Sequence, residues 1–276
     1  MKTRFFLTLL IATCLITGCE KSENTPTSPD GKIKEIIDST DQIIGEFSYN
    51  KNGLLTQSWM KEDFYTPGEK AEYTYTFDSE YRLTKKEGYE PGNIIMSSMT
   101  GALGKNVLYS YTYNQSGQLE KVVVEYIYPN SSDLNYKMNY LYEYPDDSRI
   151  TESINNINPL ANSILSSNEY LFDSKKNITK ITNYYLLNGT EKRIISETAL
   201  TYDSQKAPYH FNPAPSSKSN LLTKNITVYN YDEAGNQTVA YTSAYSYEYL
   251  YNDDGYPVQQ TEIMPNNVKI IRKFKY

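Results

Sequence analysis

The amino-acid sequence predicts an all-β protein: an antiparallel meander of about eight repeated hairpins, roughly 16–18 strands, curled into a large barrel-like or folded-over sheet. Three observations predict it. A short aromatic motif recurs along the chain, the residues around it alternate with period two, and the 276 residues include 29 Tyr against 8 Phe and 1 Trp. Tyrosine suits a half-buried pleated surface, because its ring fills apolar space while its hydroxyl tolerates water.

The first element is an export signal, residues 1–18. Lys2 and Arg4 supply positive charge ahead of an apolar stretch, Phe5 to Ile16. At about 12 residues it is shorter than the ~20 that a membrane-spanning helix needs. It ends in Ile16-Thr17-Gly18-Cys19, where small residues allow a peptidase to hold the extended backbone closely. This segment resembles the lipobox of bacterial lipoproteins. The resemblance implies cleavage before Cys19, diacylglycerol on its sulfur and a further acyl chain on the new amine, which is more than stable anchoring requires. Cys14 falls within the removed segment, so the mature domain is expected to have no disulfide.

Residues 19–31 read as a flexible tether. Glu20 to Asp30 is polar and rich in Ser, Thr and Pro, and it cannot bury apolar area. Acidic residues directly after the cysteine resemble the signals that send some Gram-negative lipoproteins to the outer surface. The expected location is therefore the cell envelope, as an outer-membrane lipoprotein displayed at the surface or facing the periplasm. The formal net charge of −6 falls to about −8 once Lys2 and Arg4 are removed. No basic stripe is present to recruit nucleic acid.

Residues 32–276 form a single repeat domain. The repeat is an aromatic-x-aromatic triplet, then Asn or Asp, about three turn-type residues and an aliphatic residue. Its copies end their triplets at Tyr49, Phe77, Tyr113, Tyr144, Phe172, Tyr202, Tyr231 and Tyr251. The mean step is about 29 residues, a length found in repeat architectures. Alternation such as Tyr109-Ser110-Tyr111-Thr112-Tyr113 places every ring on one face of a strand. The Asn or Asp that follows can fold onto the backbone, and Gly53, Gly117, Gly235 and Gly255 supply positive φ where the chain reverses. Each copy is therefore read as one hairpin, with the tight turns on one rim.

Tyr231-Asp232-Glu233-Ala234-Gly235-Asn236 and Tyr113-Asn114-Gln115-Ser116-Gly117-Gln118-Leu119 resemble the YD repeats of RHS-type proteins. The chain from Gly45 onward is also similar to a group of small Gram-negative lipoproteins of uncharacterised function, some assigned a porin-like β fold. The resemblance implies repeated hairpins and a β shell or barrel. It implies no catalytic residue.

Connections between hairpins should share the other rim. Two of them are long, 91–106 and 155–167, and each has the spacing of a short helix: Ile94, Ile95, Met99 and Leu103 in one, Leu160, Ile164 and Leu165 behind Asn158-Pro159 in the other. Loops on a rigid scaffold carry function, so Met99 and Leu160 are candidate ligand contacts. The Pro- and Ser-rich stretch 205–220 sits inside a hairpin and belongs on the opposite rim. Trp59 is the third candidate, since its ring can stack on a sugar; the alternative is a core position.

Catalytic patterns are nearly absent. His210 is the one histidine, and it lies in the Pro/Ser loop. Gly101-Ala102-Leu103-Gly104-Lys105 lacks the glycine spacing of a phosphate loop. Asp146-Asp147 and Asp253-Asp254 offer paired acids for calcium or glycoside chemistry, but both fall in expected hairpin turns. No cofactor, metal or enzyme activity is expected. The leading expectation is a non-catalytic binding module for a glycan, a peptide or an envelope protein. A structural spacer or shell is the alternative, and a pore-like outer-membrane barrel a further one. Against the pore stand expected strands of only about 6 to 8 residues and hydroxyls and charges on both faces.

Overall fold

The computed structural model describes residues 31–61, 68–92, 104–129, 132–156, 164–187, 191–208, 213 and 215–276. Sixteen strands follow one another as β1 (Glu35–Ile37), β2 (Ile43–Tyr49), β3 (Leu55–Met60), β4 (Ala71–Phe77), β5 (Leu83–Glu90), β6 (Lys105–Tyr113), β7 (Leu119–Ile127) and β8 (Tyr136–Asp146). The second half comprises β9 (Arg149–Asn156), β10 (Ile164–Phe172), β11 (Ile178–Leu187), β12 (Glu191–Tyr202), β13 (Leu221–Tyr231), β14 (Gln237–Tyr251), β15 (Pro257–Ile263) and β16 (Lys269–Lys275). Each strand pairs antiparallel with its sequence neighbours, and β1 pairs with β16, so the sheet is a closed barrel. Of the two expected outcomes, closed barrel or folded-over sheet, the edge pairing of Ile36 with Phe274 decides for closure.

The turns follow from the Asn or Asp of each copy. At Asn50 the side-chain oxygen accepts from the amides of Asn52 (2.9 Å) and Leu54 (3.0 Å), while Gly53 N–H donates to the Asn50 carbonyl at 2.8 Å. Asp78, Asn114 and Asp173 repeat this bonding. The fourth residue of each of these turns has positive φ, as expected for a type I turn closed by a G1 bulge. Two copies have no glycine there: Tyr81 sits at φ 61° and Lys176 at φ 64°. A side chain in the left-handed region costs about 1–2 kcal/mol. Tyr81→Gly is accordingly expected to raise stability by about 0.5–1 kcal/mol after the entropy of the more flexible unfolded chain is deducted, read from the urea unfolding midpoint. Asp78 already reinforces that turn. Burial pushes its carboxyl up, but hydrogen bonds from the backbone and guanidinium of Arg82 outweigh this and hold it below its ordinary value.

The motif's last tyrosine does more than line a face. In several copies its hydroxyl reaches back to a main-chain carbonyl of a preceding unit: Tyr113 donates to Leu83 O (2.8 Å) and Tyr144 to Leu119 O (2.9 Å), whereas Tyr202 and Tyr251 bond the side chains of Ser217 and Asp203. Tyr49 does the same to Ile33 O and Tyr231 to Ile194 O, and outside the motif the hydroxyl of Tyr276 donates to Pro257 O. Each such tyrosine thereby latches the segment before it. Phe77 and Phe172 fill the same place without a hydroxyl.

Closure turns one face of the sheet inward. The registers place Val107, Tyr109 and Tyr111 of β6 across from Tyr126, Val124 and Val122 of β7, and Val122 across from Tyr140 of β8. Leu119, Val122, Val124 and Tyr142 form a buried cluster on this face, with Ile33, Ile36 and Phe274 forming a second near the seam. The other face holds the exposed positions, among them Glu46, Glu72, Glu87, Lys137 and Glu143. The tyrosine face is therefore the inner wall.

Three sequence expectations are revised. The turn at Asp232 lies on the rim opposite the other motif turns, because 203–220 and 232–236 are successive reversals and one of them has to fall on each rim. Ile164 and Leu165 belong to β10 instead of a helix, since β10 pairs with β9 from Ile164 onward. Strands reach 11, 12 and 15 residues in β8, β12 and β14, longer than expected, because triplet and return strand merge with their flanks into one ladder. The short 3-10 turn Ser132–Leu134 has no counterpart in the sequence pattern. The connections following β5 and β9 do share a rim, opposite the one carrying 203–220.

Candidate functional site

Of the three residues singled out by sequence, Trp59 lies among the described residues, in a groove on the outer wall. Met99 and Leu160 lie outside the described residues, as do Cys19 and His210. Trp59 sits near the end of β3, half-buried, on the outer wall. Its neighbours across the sheet are fixed by register: Glu46 of β2 on one side, Glu72 of β4 on the other, and Tyr89 of β5 beyond. One row across four strands thus reads Glu46, Trp59, Glu72, Tyr89. The parallel row below it reads Ser48, Gln57, Thr74, Glu87.

These eight residues, with Ser58, Tyr73 and Gly88, line a groove of about 430 Å³. Trp59 Nε1 donates to Glu46 Oε2 at 2.6 Å, which fixes the ring's orientation. The ammonium of Lys70 lies 4.7 Å from the indole centroid and 2.6 Å from Glu72 Oε1. Lys85 pairs with Glu87 at 2.7 Å. The groove's carboxylates are therefore largely compensated by cations at its edge, leaving acceptor oxygens and an aromatic surface without a large net field. Burial raises the Tyr89 phenol, with Glu69 adding to the effect. Room for the Tyr89 ring comes from Gly104, where a Cβ would overlap it. At Gly88 the strands β4 and β5 approach closely, because a Cβ there would strike the main chain of Glu72 and Tyr73.

No protein-family model matches the chain, and none of the curated proteins does. Several solved structures are similar to the chain at low identity. One is a porin-like protein from Bacteroides vulgatus, 9% identical, with a TM-score of 0.44 over 90% of this chain and 99% of that one. A porin-like protein from Bacteroides uniformis is 10% identical, with a TM-score of 0.32 over 70% of this chain and 96% of that one. TcdB2-TccC3 without its hypervariable C-terminal region is 11% identical, with a TM-score of 0.26 over 87% of this chain and 16% of that chain.

A second set of polar side chains lines the inner wall. Glu152, 6% exposed, accepts from Tyr142 (2.6 Å), Asn168 (2.5 Å) and Tyr170 (2.9 Å). Glu90 accepts from Tyr73 and Tyr109 and pairs with Lys105 at 3.2 Å. Glu262 accepts from Tyr247 and pairs with Arg272 at 3.0 Å. Burial first, and then Glu152, pushes the Tyr142 phenol well above its ordinary value, so it stays a donor across the accessible pH range. These glutamates are held by their tyrosines as wall structure. Asp253-Asp254 and Asp147 lie in turns, and Asp146 ends β8 at the turn, its Oδ1 accepting from Ser148 at 2.9 Å. Among the described residues no group of three His, Cys, Asp or Glu side chains is placed to hold a metal ion.

The sequence had no means of assembling the groove. Glu46, Glu72 and Tyr89 are ordinary strand residues until pairing register brings them to one row, and only Trp59 was conspicuous by type.

Proposed function

We propose that the chain is an envelope lipoprotein, anchored through Cys19, whose barrel is a non-catalytic binding module for a glycan held in the groove at Trp59. The observation that carries this reading is the row Glu46, Trp59, Glu72, Tyr89. Rings two strands apart stand roughly 9.5 Å from each other, a span suited to stacking on non-adjacent sugars of one oligosaccharide. Glu72 between the rings and Glu46 beside Trp59 offer acceptor oxygens to sugar hydroxyls. Anchoring fits the geometry, because Gly31, where the tether ends, meets Tyr256 on the rim of tight turns. The long connections then face away from the membrane.

A water-facing barrel is favoured over a lipid-facing pore by the outer wall itself. Lys85, Lys121, Glu125, Lys180 and Glu197 stand on it, with Lys180 pairing to Glu197 at 2.5 Å and Lys137 to Glu125 at 2.8 Å. A Lys on the lipid face of a spanning barrel costs about 2–4 kcal/mol at mid-membrane. Among the described residues, several such charges interrupt the outer wall where a membrane would need an apolar band.

Trp59 is the single tryptophan of the chain, so its fluorescence reports the site directly. Titration with oligosaccharides from envelope and host glycans is expected to shift the emission saturably, and Trp59→Ala to abolish binding on a glycan array while leaving the far-ultraviolet dichroism intact. An array on which the protein and Trp59→Ala behave alike contradicts the proposal.

A further inference from the structure

The inner wall differs at its two ends. At the rim of tight turns the aliphatic residue of a repeat faces the ring of its own triplet across the hairpin: Leu55 against Tyr49, Leu83 against Phe77, Leu119 against Tyr113 and Ile178 against Phe172. These four are between 1% and 6% exposed, and Pro257, across from Tyr251, is fully buried. Side chains so enclosed have no water-filled space beside them. Toward the opposite rim the same face emerges into solvent, and along β14 exposure rises from 7% at Tyr247 to 56% at Tyr241. A barrel of sixteen strands is too wide for its side chains to fill throughout. The wall here therefore lines a recess that opens away from Gly31, with Tyr247 and the buried Glu262 facing it at its floor.

Lys224 of β13 stands on this wall above that floor, directly across from Tyr245. Its ammonium lies 4.2 Å from the centroid of the Tyr245 ring, and among the described residues no carboxylate pairs with it. Burial pulls the ammonium below its ordinary value, against the opposing effect of Glu262. Glu262 is already committed, accepting from Tyr247 and pairing with Arg272 at 3.0 Å. The Tyr245 hydroxyl likewise has no acceptor among the described residues. Two cations thus share one carboxylate in this part of the wall, and an ammonium and a phenol side by side hold unused donors. A half-buried charge without a counter-charge is costly, and an anion supplies one.

We infer that this recess is a second binding site, for a small anionic ligand whose carboxylate or phosphate accepts from Lys224 and from the Tyr245 hydroxyl, with Tyr241 lining the entrance. The enclosed end makes the lumen a blind cup, so a ligand enters and leaves by the rim of long connections. The site is independent of the glycan reading, since Trp59 stands on the outer wall of β3 and Lys224 on the inner wall of β13.

The test titrates the full chain calorimetrically with glucuronate and with glucose 6-phosphate. Saturable binding at one site is expected for at least one of them, and which one binds tells carboxylate from phosphate. Lys224→Met keeps the apolar stem against Tyr245 and removes the charge, and it should weaken that binding about tenfold or more. Lys180→Met, on the outer wall, should leave it unchanged. Acetylation by acetic anhydride, followed residue by residue by mass spectrometry, should slow at Lys224 when the ligand is present and stay constant at Lys180. Three results overturn the inference: no saturable binding of either anion, equal affinity in wild type and Lys224→Met, or acetylation of Lys224 indifferent to ligand. Binding that shifts the Trp59 emission and ignores Lys224→Met puts the anion in the outer groove and overturns it too. If Lys224→Met fails to fold, the acetylation result decides alone.

Discussion

Replacing Glu152 by Leu is expected to lower the stability of the barrel by about 3–5 kcal/mol, although it exchanges a charge for a well-sized apolar group. The reason lies in what remains. Tyr142, Asn168 and Tyr170 all point donors at this carboxylate, and Glu152 and Tyr142 are 6% and 8% exposed. Removing the acceptor takes it from three donors at once, of which Tyr142 is buried and Asn168 and Tyr170 part-buried. Glu152→Gln keeps one acceptor oxygen but turns an amide donor toward other donors, so about half the loss is expected. Urea unfolding of the three proteins checks the order, wild type above Gln above Leu. Equal midpoints for Leu and wild type contradict the view that these tyrosine-bound glutamates hold the wall together.

The second large effect is expected at Gly88. It faces inward from β5 across from Tyr73 of β4, and an added Cβ would meet the carbonyl group of Glu72 and the Cα of Tyr73. Main chain cannot swing aside as a side chain does. Gly88→Val should therefore cost about 3 kcal/mol or more by forcing the two strands apart. Gly45 provides the comparison. A Cβ there meets chiefly the flexible end of Met60, so Gly45→Ala is expected to cost only about 1 kcal/mol. Because Glu72 and Tyr89 line the groove on either side of this approach, Gly88→Val should also disturb the Trp59 emission, whereas Gly45→Ala should leave it close to wild type.

The contrast between these glycines marks how far the sequence could be read. Turn glycines were legible, since Gly53, Gly117, Gly235 and Gly255 sit three residues after an Asn or Asp and serve a local conformation. Gly88 and Gly45 serve a long-range approach of one strand to another, which no local pattern encodes. The same division runs through the aromatic residues. Their period-two spacing announced strands and a common face. That face's inward direction, and the use of the hydroxyls of Tyr113 and Tyr144 to latch the preceding unit, depend on closure. Closure rests on Ile36 meeting Phe274, a pairing far apart in sequence. The misplaced turn at Asp232 has a similar origin. Its motif is as good as that at Asn114, but rim is a matter of counting reversals, and the insertion 203–220 occupies the reversal before it. The groove was half legible: Trp59 by its chemistry, its neighbours only once register was known.

The seam between first and last strands tests the architecture most directly. Glu35 and Lys275 are facing residues of β1 and β16, joined by a 2.7 Å ion pair. In a chain whose Cys14 and Cys19 are replaced by Ser, Glu35→Cys with Lys275→Cys is expected to oxidise within one molecule to a fast-migrating species that dithiothreitol reverts. Thiols that stay free, or that link only between molecules, would show that the ends of the sheet do not meet and that the barrel is open.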